Sequence, residues 1–239
     1  MKKIAALALC CTLIYGNVLA QELRSPTNTF SHQKMAYITL VDGTELEGTI
    51  DDVDRKKGLI EFIKIIDASG KEYNLKPEEV QYMYLPPTDL DMVQKTATLI
   101  SDTQKWNDEK LNQDFLNQGY AYFELGEVKL KKENKQLLMQ LLNPSFSKEI
   151  KVFYDPFAGE TSSLGFGGLK LVGGIAKSYY VSNGVDMAFK LSKKNYDKEF
   201  KTFFENCGLL EEKYPDPKWR DLAGHIISFS ECREQNKGF

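Results

Sequence analysis

Between Tyr37 and Leu85 the chain alternates apolar and polar residues in short runs, and turn-forming clusters cut the runs apart. Alternation sends successive side chains to opposite faces of an extended chain, so this pattern requires β-strands and excludes a helical fold for the segment. In YITLVDGTELEGTI, Ile38 and Leu40 alternate with Tyr37, Thr39 and Val41, and Leu46, Gly48 and Ile50 resume the pattern after Asp42-Gly43. Asp-Gly between two such runs predicts a two-residue type I′ hairpin. A polar turn spans Asp51 to Gly58, a β-branched run spans Leu59 to Ile66, and Asp67-Ala68-Ser69-Gly70 is a further turn. Glu72 to Leu75 reads as a short strand, Pro77-Glu78-Glu79 as one helical turn, and Val80 to Leu85 as a last strand.

Five short strands with a one-turn helix before the fifth have the layout of a small SH3-like barrel. The opening resembles the Sm-like version, whose first motif runs apolar-x-Leu-x-Asp-Gly-x-x-x-x-Gly-x-apolar. Ile38, Leu40, Asp42, Gly43, Gly48 and Ile50 carry it, with Asp54 further on. The resemblance covers about 50 residues and implies a fold, not a ligand. Lys57-Gly58 occupies the region where that family places its RNA-contacting Asn.

After Pro86-Pro87, Thr88 is a good N-cap, and Leu90, Val93, Ala97 and Ile100 share one helical face, which predicts a helix over 88–105. A shorter helix is expected over 108–117, with Leu111 and Phe115 on its apolar edge and Gly119 as its stop. Strand patterns return over 120–125, 128–131, 136–142, 150–154, 169–172, 176–182 and 185–191, with Asn183-Gly184 as a second type I′ signal. Short connections favour an antiparallel meander. Tyr196, Phe200, Phe203, Phe204 and Cys207 form the stripe of one helix, which Gly208 ends; Trp219, Leu222, Ile226, Phe229 and Cys232 mark a second. The expected fold is α+β and mainly β. It comprises a mobile leader over 21–34, a small barrel over 35–85, a helical linker over 86–118, and a meander sheet with a C-terminal helical pair over 119–239.

The first twenty residues have the layout of a secretory signal peptide. Lys2 and Lys3 precede an apolar run from Ile4 to Tyr15, and Val18-Leu19-Ala20 stands before Gln21. The apolar run is too short to span a bilayer, which takes ~20 residues. Cys10 and Cys11 raise a lipoprotein alternative, but Leu9 is larger than the residue such a site needs before its cysteine. Cleavage after Ala20 leaves about 219 residues with a net charge of about −5. A mildly acidic exported chain has no electrostatic reason to seek nucleic acid. No later segment reads as transmembrane. Cleavage also leaves Cys207 and Cys232 as the only cysteines. In an oxidising compartment two cysteines allow one pairing, and both lie at the C-terminal ends of expected helices.

Catalytic signals are weak. His32 falls in the leader, and His225, four residues before Phe229, reads as a core-edge residue. Gly159-Glu160-Thr161-Ser162-Ser163 lacks the second glycine of a nucleophile elbow. Asp51, Asp52 and Asp54 are followed by Arg55, Lys56 and Lys57, which would repel a cation. GFGGLKLVGG, residues 165–174, lacks the Gly-Lys-Ser/Thr ending of a phosphate loop and fits glycine bulges in curved β structure. No metal or cofactor is implied. The remaining candidate is the loop from Tyr154 to Gly168, long for a β connection. Its Tyr154, Phe157 and Phe166 either cap the sheet or offer a stacking surface for sugar or peptide. Asp155 and Glu160 supply a carboxylate pair of the kind glycosidases use.

The chain resembles exported proteins of Gram-negative bacteria that join an SH3-like module to a β-rich body and a disulfide-clipped helical end. That resemblance implies an address and an architecture, with no activity. The expected role is non-enzymatic binding or structure in the periplasm or at the cell surface, with an envelope protein, peptidoglycan or glycan as partner. The alternatives are a hydrolase of envelope glycan or peptide and a carrier of a small apolar ligand.

Overall fold

A computed structural model describes residues 22–92, 107–130, 133–159, 175–183 and 187–236, and the strand backbone at 164–166 and 169–172. The N-terminal half forms β1 (Met35–Leu40), β2 (Glu45–Lys56), β3 (Leu59–Ile66), β4 (Glu72–Leu75) and β5 (Val80–Leu85), with a 3-10 turn at Pro77–Glu79. These strands lie in the order β4-β3-β2-β1-β5, all antiparallel. Alternation does what the sequence requires of it: Ile38, Ile50, Ile63, Ile65, Val80 and Met83 meet in one buried cluster.

The turns differ from expectation in one instructive way. Asp42-Gly43 is not a type I′ turn. Gly43 alone has positive φ, its N–H donates to Leu40 O, and the Leu40 N–H donates to Thr44 O. That is a three-residue loop with a glycine bulge, repeated at Gly70. Asp42 takes up the slack by accepting the Thr44 N–H at 2.9 Å. The two-residue turn sits instead at Lys57-Gly58, where φ is 52° and 83° and Lys56 pairs with Leu59. The expected polar turn over 51–58 is therefore mostly strand. Asp51, Asp52 and Asp54 lie exposed on β2, and Asp51 pairs with Lys64.

The second half adds β6 (Ala121–Lys129), β7 (Asn134–Gln140), β8 (Lys151–Tyr154), β9 (Leu164–Phe166), β10 (Leu169–Val172), β11 (Ser178–Ser182) and β12 (Ala188–Ser192). It is not a simple meander. β6 pairs antiparallel with β5 and β7 but parallel with β12, and the sheet continues through β11 to β8. Phe123 and Glu124 have partners on both β5 and β7, whereas Val128 and Lys129 have partners on β7 and β12. β5 and β12 thus share one edge of β6, end to end. The result is an open, antiparallel-rich sheet of ten strands, with β9 and β10 set apart as a two-stranded sheet. Strand β9 lies inside what the sequence presents as a continuous loop, and β10 shifts register between Lys170 and Val172, at Leu171 rather than at one of the glycines.

Between the halves, Thr88 Oγ1 accepts the Asp91 N–H at 3.2 Å and residues 89–92 are helical; the rest of the helix expected over 88–105 lies outside the described residues. The second expected helix is shorter, α1 (Gln113–Asn117), because Asn112 caps it by accepting from Asp114 and Phe115. Gly184 of the expected Asn183-Gly184 turn also lies outside them.

The expected mobile leader is instead a packed strap. Arg24 N donates to Leu142 O at 2.7 Å, Thr27 N donates to Gln140 Oε1 at 3.0 Å, and His32 Nδ1 lies 2.8 Å from Ile50 O. Thr27 and Phe30 are buried, and Phe30 packs edge-on against Phe123. A polar composition hid these contacts. A chain without regular structure becomes fixed once its buried amides find partners.

The C-terminal end forms α2 (Tyr196–Phe203), α3 (Gly208–Lys213) and α4 (Leu222–Asn236). Gly208 begins a helix rather than ending one; the chain turns first at Asn206, whose φ is 64°. Cys207 caps α3 and is joined by a disulfide to Cys232 on α4, across 25 residues. Both cysteines are buried with Phe200, Phe204, Leu210 and Ile226, which cover the β8–β11–β12 face of the sheet. Among the described residues no helix is long and apolar enough to cross a membrane.

Two glycines give a graded test of this frame. At Gly43 a Cβ would meet nothing within 4 Å, whereas at Gly58 it would lie 2.6 Å from Pro156 Cβ. Gly43→Ala is expected to cost about 1 kcal/mol through its positive φ, and Gly58→Ala at least about 2 kcal/mol. Urea denaturation midpoints give the ranking.

Candidate functional site

The segment that follows β8 is fixed by one carboxylate. Asp155 is 0% exposed. Its Oδ1 accepts the Phe157 N–H at 3.0 Å, and its carbonyl accepts the Ala158 N–H at 3.0 Å, which together close a tight turn. Its Oδ2 accepts from Ser178 Oγ at 2.6 Å on β11 and pairs with Lys190 Nζ at 2.6 Å on β12. The Tyr180 hydroxyl lies within reach of the same carboxylate's charge. Burial and then the Asp155 charge push the Tyr180 phenol up to about 12. Pro156, next in the chain, rests on Gly58 of the β2–β3 hairpin. Asp155 is therefore saturated with donors and holds three parts of the sheet together. A carboxylate so engaged, and 0% exposed, offers no open face to solvent.

The other candidate residues separate. Tyr154 is half-buried at the end of β8, opposite Tyr179, against the C-terminal core. Phe157 is 51% exposed. Phe166 lies on β9, in register with Leu169. Glu160 lies outside the described residues. The structure thus brings together Tyr154, Asp155 and Phe157, and presents Phe157 alone of the three fully to solvent.

Two arrangements carry no sequence signal. Lys151 Nζ lies 2.8 and 3.0 Å from the Glu124 carboxylate oxygens and 3.5 Å from Asp108 Oδ2, and all three side chains are largely buried. The Tyr122 hydroxyl donates to Glu124 at 3.1 Å, and burial followed by the Glu124 charge raises its pKa. Tyr84 stands beside it with its ring centre 5.0 Å away, its hydroxyl accepting the Asn112 N–H at 2.8 Å. These residues are far apart in sequence and share no motif. One ammonium thus serves two carboxylates and links β6, β8 and the 107–112 segment. Beneath the strap, Arg24, Thr27, Tyr120, Tyr122 and Gln140 line a cavity of about 90 Å³, room for a few waters or a very small ligand.

His225 is deeper than the core-edge position expected of it. It is 0% exposed, within a cluster of Tyr196, Phe200, Phe204 and Tyr214. Its Nδ1 lies 2.6 Å from the Tyr196 hydroxyl and its Nε2 has no partner. Burial, only partly offset by Asp221, pushes the imidazole down to about 4. Among the described residues no three His, Cys, Asp or Glu side chains are placed to hold a metal ion.

Together these features define an α+β, mainly β protein with an open antiparallel-rich sheet and a disulfide beside its C-terminal helix. No family model, curated protein or solved structure matches the chain.

Two outcomes follow. Asp155→Ala strips an acceptor from Ser178, Lys190 and the Phe157 N–H and is expected to cost about 2–3 kcal/mol in chemical denaturation. Asp155→Asn, which keeps an acceptor, should cost less. Second, the unfolded chain protonates His225 near pH 6.5, while the folded chain resists until about 4. Stability is therefore fully present above pH 6.5 and falls as pH drops towards 4, by up to about 1.4 kcal/mol per pH unit from this residue. His225→Gln should flatten that part of the stability–pH curve.

Proposed function

We propose that the chain is an exported envelope protein of a Gram-negative bacterium that works by binding rather than catalysis. The observation that carries this reading is the buried Cys207–Cys232 disulfide, which belongs to an oxidising compartment and agrees with the signal-like start at Lys2 to Ala20. Support for binding over hydrolysis comes from Asp155. The described member of the proposed carboxylate pair is spent on structure. The first five strands are read as an SH3-like module. Support comes from their order, β4-β3-β2-β1-β5, and from the 3-10 turn between β4 and β5. Its partner would be an envelope protein, peptidoglycan or glycan. The cavity beneath the strap favours, as a second reading, a carrier of one small ligand.

Expression in a Gram-negative host followed by osmotic shock tests the address. The processed chain should leave with the periplasmic fraction and show no thiol to maleimide when denatured without reductant. Two reactive thiols, or an unprocessed chain retained in the cytoplasm, would sink the reading. In-cell crosslinking then separates the roles, since repeated recovery of an uncrosslinked monomer counts against a macromolecular partner. A small molecule seen in native mass spectra supports the carrier.

A further inference from the structure

Between β8 and β11 the chain leaves the main sheet, forms the β9–β10 hairpin and returns. The two ends of this excursion meet. Lys177 N donates to Gly159 O at 2.8 Å, and Lys193 N donates to Lys177 O at 2.9 Å. The same face therefore gathers residues from three stretches of sequence. Phe157 is 51% and Ile175 39% exposed, two of the few large apolar side chains so placed. Lys177, Lys193 and Lys194 are exposed beside them.

Local charge runs against the chain as a whole. The protein carries −3, yet residues 154–195 hold five lysines against Asp155, Glu160 and Asp186, and within the described residues of 154–159, 175–183 and 187–195 the acid is Asp155, with Lys177, Lys190, Lys193 and Lys194. That acid is buried and already paired with Lys190. The three other lysines there have no carboxylate partner among the described residues. Asp197, the next acid, opens the following helix. The excursion is apolar as well: residues 164–175 read LGFGGLKLVGGI, with Lys170 as the single charge. Exposed apolar side chains inside a basic collar are what an interfacial contact with a charged bilayer requires. Apolar groups enter the headgroup boundary while cations meet the phosphates.

We propose that this face, built from Phe157, Ile175, Lys177, Lys193 and Lys194, seats on an anionic lipid surface. The inference takes its setting from the exported-protein reading and its geometry from the face itself. The two fail separately, because the vesicle measurement below compares variants in vitro and does not depend on where the protein resides.

The test is co-sedimentation of the purified protein with phosphatidylcholine vesicles, with and without phosphatidylglycerol. Wild type should pellet with the anionic vesicles and much less with the neutral ones, and raising salt from 0.1 M towards 1 M should release it as the screening length falls from about 10 Å to about 3 Å. Lys193→Gln and Lys194→Gln should each lower partitioning about fivefold, from ~1 kcal/mol per basic residue at such a surface. Phe157→Ser should lower it about tenfold, from the burial of a large apolar side chain. All three positions are exposed, and an unchanged urea midpoint confirms that the variants fold. No anionic preference, or binding that the three variants leave unchanged, overturns the proposal. So does a concentration-dependent dimer, without vesicle binding, that Phe157→Ser dissolves; that result would assign the face to a second copy of the chain.

Discussion

Strand β6 is hydrogen-bonded along both edges to three different strands, and the arrangement of everything else depends on that sharing. Its first residues complete the N-terminal five-stranded unit through β5, and its last two hold β12 in parallel, while β7 covers the opposite edge. In the ladder order β6 alone stands between β5 and β12. A central strand serving both halves needs apolar side chains on both faces, and Phe123 and Val128 are accordingly buried in different clusters. The hydrogen bonds make the sheet continuous, and the cluster around Val128 joins the halves, with Tyr84 from the first and Phe153 and Tyr180 from the second.

Local features were legible in the sequence. Period-two alternation located β1, β3, β4 and β5 because a strand with one buried face must repeat every second residue. The cysteine pair was legible because reading Cys10 and Cys11 as part of a signal-like start leaves one pairing, and Cys207 and Cys232 are joined. Turn geometry was not. Asp-Gly satisfies a three-residue bulged loop as well as a two-residue turn, and Lys57 is not a residue that announces positive φ. The β6–β12 pairing was invisible because a parallel contact over 60 residues of sequence leaves no local period. Of the candidate loop, Tyr154, Asp155 and Phe157 stand at its described start. Burial decided their roles, and burial depends on β11 and β12, which are distant in sequence.

Buried polar side chains act here as fasteners between segments that share no ladder. Asn143 donates to Phe146 O and Ile150 O and accepts from Val152 N, which pins the turn that leads into β8. Gln140 fixes the strap, and Asp155 fixes the entry to the β9–β10 excursion. Each satisfies groups that would otherwise be desolvated without a partner, and each is a point where apolar replacement leaves several orphans at once. Polar chemistry turned inward for this purpose is chemistry withdrawn from solvent, which leaves the outer surface to charge and to a few exposed apolar residues.

The strap has a kinetic side. Thr27 and Gln140 are 113 residues apart, so the bond between them closes nearly half the chain into one loop. Loop closure on that scale is gained only after the intervening strands have shortened the effective distance. β7 must already lie beside β6 before Gln140 is in place to receive Thr27. The strap is thus docked among the last elements, and until then the side of β6 at Phe123 that Phe30 packs against stays open to water.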